Sequence, residues 1–332
     1  MRKRKLGRQG LEVSSLGLGC MGMSWAYGPA PDEAEVIRLL HRSLELDINF
    51  WDTAEAYGPF TNEKLLGRAL KGKQRDRVII ATKFAMRFGP NGERLGLDSS
   101  PAHVKQSIEG SLKRLGTDYI DLYYQHRLDP ATPIEDTVGT LRDLIREGKV
   151  RYIGLSEVGP GIIRRAHAVH PLTAVQMEYS LWERSVEQKV LPAVRELGIG
   201  LVAYSPVGRG LLTGTIKSPN DLHESDWRRT VPRFQSAHFD QNFRLVEIIQ
   251  QIASANKATP AQVALAWVLR RGSDIVPIPG TTHLRHLEDN AGAANLMLSD
   301  SAWNDLDNAV SSFVAAGLRY PEEAMKVIDT TD

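Results

Sequence analysis

The sequence predicts a (β/α)8 barrel, on three observations. Eight short β-branched or apolar runs alternate with amphipathic segments of helical length. No Pro-, Gly- or Ser-rich linker or low-complexity tract divides the 332 residues. Polar residues with chemical potential stand at the ends of successive runs, where barrels of this type carry their sites. An open doubly wound sheet satisfies the alternation too, because periodicity does not report closure.

The elements follow in order. "VSSLGLGC" (13–20) reads as a strand, and the helix at 31–47 puts Val36, Leu39, Leu40 and Leu44 near one face behind a Pro and acids. "INFWDT" (48–53) precedes a helix closed by Gly72. "RVIIATKF" (77–84) precedes a helix opened by Ser-Pro and closed by Gly116. Strands at 119–126, 150–156, 172–178 and 199–206 follow, the first three each with a helix behind it. After the seventh strand comes an irregular stretch of about 207–240, long enough to be a lid over a ligand, then helices at 243–257 and 259–272. "SDIVPIPG" (273–280) is the eighth strand; a helix at 284–295 and a Ser-Asp-capped helix from 299 complete the chain.

Composition narrows the function. The formal net charge is +1 with both signs dispersed, so there is no electrostatic footprint for nucleic acid. The basic start "MRKRK" is followed by no apolar signal segment, and no run approaches a membrane span. One cysteine, Cys20, cannot form an internal disulfide. These points lead to an expectation of a cytoplasmic protein without membrane partners. No clustered His, Asp or Glu pattern suggests a metal. Oligomeric state is not legible.

The strand ends carry the chemistry. Asp52 ends the second strand and Tyr57 follows in its loop; Lys83 ends the third, and His126 the fourth. Each alone reads as a cap, a rim residue or a solvated side chain. Converging on one mouth, they suit carbonyl reduction. An ammonium favours phenolate, so Lys83 should lower the pKa of Tyr57. Asp52 would hold Lys83 charged, and His126 would orient a carbonyl oxygen. No side chain delivers hydride, so a nicotinamide cofactor is implied.

"FWDTAEAYG", "ATKF", "YYQHR", "AYSPVGRGLLTG" and "PIPGTT" with "LEDN" resemble, in order and over nearly the whole chain, the aldo-keto reductase superfamily. "GLGCMGMS", "HRLDPATPIEDT", "GLSE" and "EYSLWER" look most like its branch with perakine reductase and pyridoxal-reductase-like enzymes. The resemblance implies a TIM barrel with an N-terminal β-hairpin and extra C-terminal helices, using NADPH without a Rossmann domain. It makes Asp52, Tyr57, Lys83 and His126 a catalytic tetrad. It puts Gly19, Cys20, Met21 and Asp52 by the nicotinamide, Ser156 and Gln176 on its carboxamide, and Tyr204 against its ring. Glu157 stands where many members have Asn. Ser205, Pro206, Val207, Gly208, Arg209 and Gly210 would cradle the pyrophosphate.

At the adenosine end the resemblance implies Gly280, Thr281, Thr282, His286, Asp289 and Asn290. The two threonines stand where basic residues often stand, and His286 replaces an expected Arg, with His283 and Arg285 nearby. NADPH is the expected cofactor, with NADH use possible. Trp25, Tyr27, Trp51, Phe84 and Arg127 are candidates to line a pocket for a small carbonyl or alcohol substrate, with Trp182 or Trp227 as a further candidate. Trp51 has an equal alternative in the core or helical layer. A rival reading is a cofactor-binding regulatory subunit resembling potassium-channel β-subunits. The lack of an extended basic or apolar docking segment favours the free enzyme.

Overall fold

The structure is a computed structural model, and it describes residues 1–328. Eight parallel strands run in the order of the chain: β1 Leu18–Gly19, β2 Phe50–Asp52, β3 Ile79–Phe84, β4 Ile120–Gln125, β5 Val150–Ser156, β6 Ala174–Glu178, β7 Gly200–Tyr204 and β8 Ile275–Ile278. A parallel bridge between Gly19 and Gly280 joins the last strand to the first, with Gly17 N–H donating to the Pro277 carbonyl at 2.9 Å. The barrel is therefore closed. A Cβ on Gly19 would lie 2.8 Å from the Ile278 carbonyl oxygen, so closure requires glycine there.

The barrel interior is filled by Phe50, Ala81, Leu122, Tyr124, Val202 and Val276. Leu6, Leu11 and Val13 join the same cluster. They come from an N-terminal hairpin, Lys3–Leu6 with Leu11–Ser14. The run 13–20, expected as one strand, is thus the end of this hairpin plus β1. Its alternation is common to both pieces and does not reveal the break at 15–17.

Helices α1 (Glu33–Glu45), α2 (Thr61–Ala69), α3 (Pro101–Leu115), α4 (Ile134–Arg146), α5 (Pro160–Val169) and α6 (Val190–Leu197) follow β1 to β6. Two of them have side-chain caps: Asp32 accepts from Glu35 N–H, and Ser100 from His103 N–H ahead of Pro101. After β7 come α7 (Ser236–Ala255) and α8 (Pro260–Arg270), and after β8 come α9 (Leu284–Gly292), α10 (Asp300–Ser311) and α11 (Glu322–Met325). The expected loop 207–240 ends earlier, since α7 begins at Ser236, and it contains four short 3₁₀ turns. A second hairpin, Met86–Phe88 with Arg94–Leu97, extends from β3; its turn signal, Asn91-Gly92, stands in the sequence.

Candidate active site

The site grows from strand register. Asp52 is the last residue of β2, and Lys83 lies two residues beyond Asp52's partner Ala81 on β3. Both side chains are buried. Lys83 Nζ donates to Asp52 Oδ1 at 2.5 Å, to the Thr53 carbonyl at 2.8 Å and to the Tyr57 hydroxyl at 3.2 Å. Every ammonium proton has an acceptor. Asp52 Oδ2 accepts from Gln176 Nε2 at 2.7 Å, which ties β2 to β6 across the barrel.

Tyr57 is fixed by its loop. Its N–H donates to the Ala54 carbonyl, and its own carbonyl accepts from Asn62 N–H. Asn62 also accepts from Thr53 Oγ1 at 2.6 Å and donates to the Cys20 carbonyl at 2.9 Å. Gly58 has φ +87°, and a Cβ there would stand 1.9 Å from Thr61 Oγ1. Only glycine allows the chain to turn into α2 immediately after Tyr57. His126 follows β4, and its ring meets the Tyr57 ring edge-on at 5.9 Å.

Burial dominates the electrostatics. It pushes the Tyr57 phenol above its ordinary value, against the downward pull of Lys83. The expectation of a lowered Tyr57 pKa is therefore reversed: desolvation of the phenolate outweighs one ammonium that Asp52 already partly neutralises. Burial opposes charge on Lys83 too, but Asp52 and Tyr57 more than offset it and hold the ammonium above its ordinary value. Burial, with Arg127, Lys83 and Arg94, holds His126 well below the usual histidine range, so the imidazole is neutral. Its Nδ1 is buried without a partner.

Asp52, Tyr57 and His126 border a cleft of about 1310 Å³, more than one small ligand needs, with Lys83 buried behind them. Gly19, Cys20 and Met21 line it, as do Ser156, Gln176 and Tyr204, then Ser205, Pro206, Val207, Arg209 and Gly210, and finally Gly280, Thr281, Thr282, His286, Asp289 and Asn290. Ser205, Arg209 and Gly210 have positive φ (50°, 55° and 95°), which winds the segment after β7 tightly. Gly208 does not line the cleft; its missing Cβ makes room for Leu212 and Trp182. His283 and His286 pack edge-to-face at 5.1 Å. Asp289 accepts from Thr259 Oγ1 at 2.8 Å.

Two charged residues of the site region have partners inside the chain. Arg209 lies 2.9 Å from buried Glu178 and over the Tyr320 ring, so in this structure it neutralises an acid inside the chain. Glu157 accepts from both Arg319 nitrogens (2.5 and 3.0 Å) and from the Tyr204 hydroxyl at 2.8 Å. The Tyr204 hydroxyl also meets the Tyr320 hydroxyl at 2.8 Å. The C-terminal segment is thereby pinned to the β5 and β7 ends.

On the substrate side, Trp25, Tyr27, Arg127 and Trp227 line the cleft, and Trp25 lies 6.2 Å from Tyr57, nearly parallel. Trp51 does not reach it: fully buried, it donates from Nε1 to Ser43 Oγ of α1 at 2.9 Å. Phe84 does not reach it either, packing on Tyr123 at 4.9 Å within the helical layer. Adjacent strand residues face opposite sides, so Asp52 pointing inward sends Trp51 outward, and Lys83 does the same to Phe84. Trp182 packs against Phe234. Sequence reasoning missed Met86, Phe88 and Arg94, carried by the second hairpin, and Tyr320.

The residues present fit a nicotinamide dinucleotide. Because Gln176 commits its Nε2 to Asp52, its Oε1 is left as an acceptor beside the Ser156 hydroxyl, the complement of a carboxamide. The tightly wound segment after β7 and the histidine pair extend the same cleft.

A model of the aldo/keto reductase family matches residues 15–311. A probable aldo-keto reductase of Glycine max is 48% identical over 318 residues, covering 95% of this chain and 91% of the relative. Among solved structures, a glycerol dehydrogenase of Gluconobacter oxydans superposes with a TM-score of 0.85 at 26% identity, covering 95% of this chain and 97% of that one. The holo form of an aldo-keto reductase from Bacillus halodurans gives 0.78 at 30% identity, covering 95% and 98%.

Proposed function

The chain belongs to the aldo/keto reductase family and is a nicotinamide-dependent oxidoreductase, and from that premise we propose that it reduces an aldehyde or ketone reversibly with NADPH. The observation that carries the reading is the buried chain Asp52–Lys83–Tyr57 opening on the cleft beside His126. Bound in the cleft, the cofactor supplies hydride to the carbonyl carbon. Ser156 and Gln176 hold the carboxamide, and Tyr204 flanks the ring.

Tyr57 gives its proton to the oxygen as negative charge develops there. A phenol with a raised pKa stays protonated at neutral pH, which suits a proton donor. Lys83 stabilises the phenolate left behind, and Asp52 keeps that ammonium charged and aimed. The neutral His126 donates a hydrogen bond to the same oxygen, orienting it before transfer. Preference for NADPH is supported by Arg285, with His283 and His286, along the far end of the cleft, where Arg285 would pair with the extra phosphate.

We place the activity in the cytoplasm, supported by the single cysteine. Among the described residues no helix is long and apolar enough to cross a membrane.

Fluorescence titration with NADPH and with NADH, followed by a panel of aldehydes and ketones under the tighter cofactor, tests the proposal. Quenching by NADPH and oxidation of it by a carbonyl are expected. Binding of neither cofactor overturns the reading.

A further inference from the structure

We propose that Arg94 and Arg127 form an anion-recognising pair that selects carbonyl substrates bearing a carboxylate. The inference rests on the reading of the site as a carbonyl reductase and adds the class of substrate.

Apart from Arg285 at the end of the cleft that follows β8, the other guanidinium groups around the mouth are paired. Asp52 is matched by Lys83, Glu178 by Arg209, Glu157 by Arg319, Glu183 by Arg233 and Asp226 by Arg228. Arg127 and Arg94 line the same cleft, and among the described residues neither has a carboxylate at ion-pair distance. Arg127 is 8% exposed, and its Nη1 reaches only the His126 carbonyl (2.7 Å) and Ser156 Oγ (3.4 Å). Burial opposes the charge of Arg127, but Tyr320, Tyr204 and Glu157 more than offset it, and with no carboxylate at ion-pair distance among the described residues its fork stays open to a ligand anion. Its planar fork matches a carboxylate.

Position assigns the anion to substrate. Arg127 directly follows His126, which faces the reacting oxygen in the proposed chemistry. Arg94 comes from the hairpin after β3, with Met86 and Phe88 beside it on the cleft wall. The segments proposed for the cofactor phosphates follow β7 and β8, and β3 and β7 are diametrically opposed in a closed eight-stranded barrel. Both guanidinium groups depress the charge of His126, so they lie near enough to act electrostatically on the reacting region. The pocket thus offers an apolar wall for the body of the substrate and two cations for its acid.

The test compares 4-oxobutanoate and 4-formylbenzoate with their methyl esters under NADPH, in the parent protein and in Arg94→Gln, Arg94→Lys and Arg127→Gln. At least one acid should exceed its ester in kcat/KM by about tenfold, the effect of one charge-assisted hydrogen bond. That ratio should fall toward one in both glutamine variants, mainly through KM, and survive in part in Arg94→Lys. Esters equal to or better than both acids in the parent overturn the inference while leaving carbonyl reduction intact. So does a ratio unchanged in both glutamine variants, including the case where Arg127→Gln instead weakens NADPH binding. A parent that binds NADPH but reduces neither acids nor esters overturns the inference together with the reading beneath it.

Discussion

The Lys83 ammonium donates to the Tyr57 hydroxyl across 3.2 Å while Asp52 holds the same nitrogen at 2.5 Å. A tyrosine in a loop is thereby coupled to two acid–base residues of the barrel wall. Burial keeps its phenol protonated.

The first prediction follows from sign. Tyr57 is raised, so the proton-donating form prevails below its folded pKa, and His126 is already neutral through the physiological range. The kcat/KM for carbonyl reduction should be flat across neutral pH, with no break at the ordinary histidine value of about 6.5, and fall only above about pH 10. The pH–rate profile measures both limits.

Removing Lys83 should cost stability as well as activity. Lys83→Met leaves the Asp52 carboxylate buried without its cation, a loss of about 3–5 kcal/mol. Adding Asp52→Asn should recover much of that stability and none of the turnover. Denaturant unfolding of the single and double variants, set beside their rates, separates the two effects.

The C-terminal clamp should behave similarly. Glu157 is fully buried; burial opposes its charge, but the pairing with Arg319 prevails and keeps the carboxyl below its ordinary value. Its stabilisation is therefore complete above the ordinary carboxylate range and lost as pH falls through the lowered value. Glu157→Gln should flatten the loss of stability in that acid range. Arg319→Met should cost about 3 kcal/mol at neutral pH and weaken NADPH binding, because Tyr204 shares Glu157 with Arg319.

Cofactor choice should depend on pH. Burial, with His283 and Arg285, lowers His286, so it is neutral at pH 7 and gains charge only on acidification. NADPH affinity should rise as pH falls below the ordinary histidine value of about 6.5 and the ring protonates against the extra phosphate, while NADH affinity stays level. His286→Gln should remove the difference. Fluorescence titration at several pH values measures it.

Much of the barrel was legible because burial on both faces of most of β3 to β7 leaves largely apolar runs, and the helices after β3 to β6 carry a periodic stripe, with Ser100 capping the first of them. The split at 15–17 was not, since hairpin and barrel strand share one apolar pattern. Asp52, Lys83 and His126 were legible because strand ends point to one mouth. Phe84 was misassigned by adjacency and Trp51 takes its core alternative: each borders a site residue in sequence but faces the helices. Tyr320 carried no signal, because its place depends on Arg319 meeting Glu157 from 162 positions away. Trp25→Ala should therefore change aldehyde selectivity where Trp51→Phe does not, a contrast that substrate profiling checks.

The central claim is that Tyr57 is the proton donor in a nicotinamide-dependent reduction. Its most direct test is Tyr57→Phe, measured for aldehyde turnover and NADPH quenching together. The account predicts turnover lower by roughly 10³-fold with cofactor affinity within about twofold of the parent. Turnover retained to within about tenfold, below the usual contribution of a general acid, would contradict it.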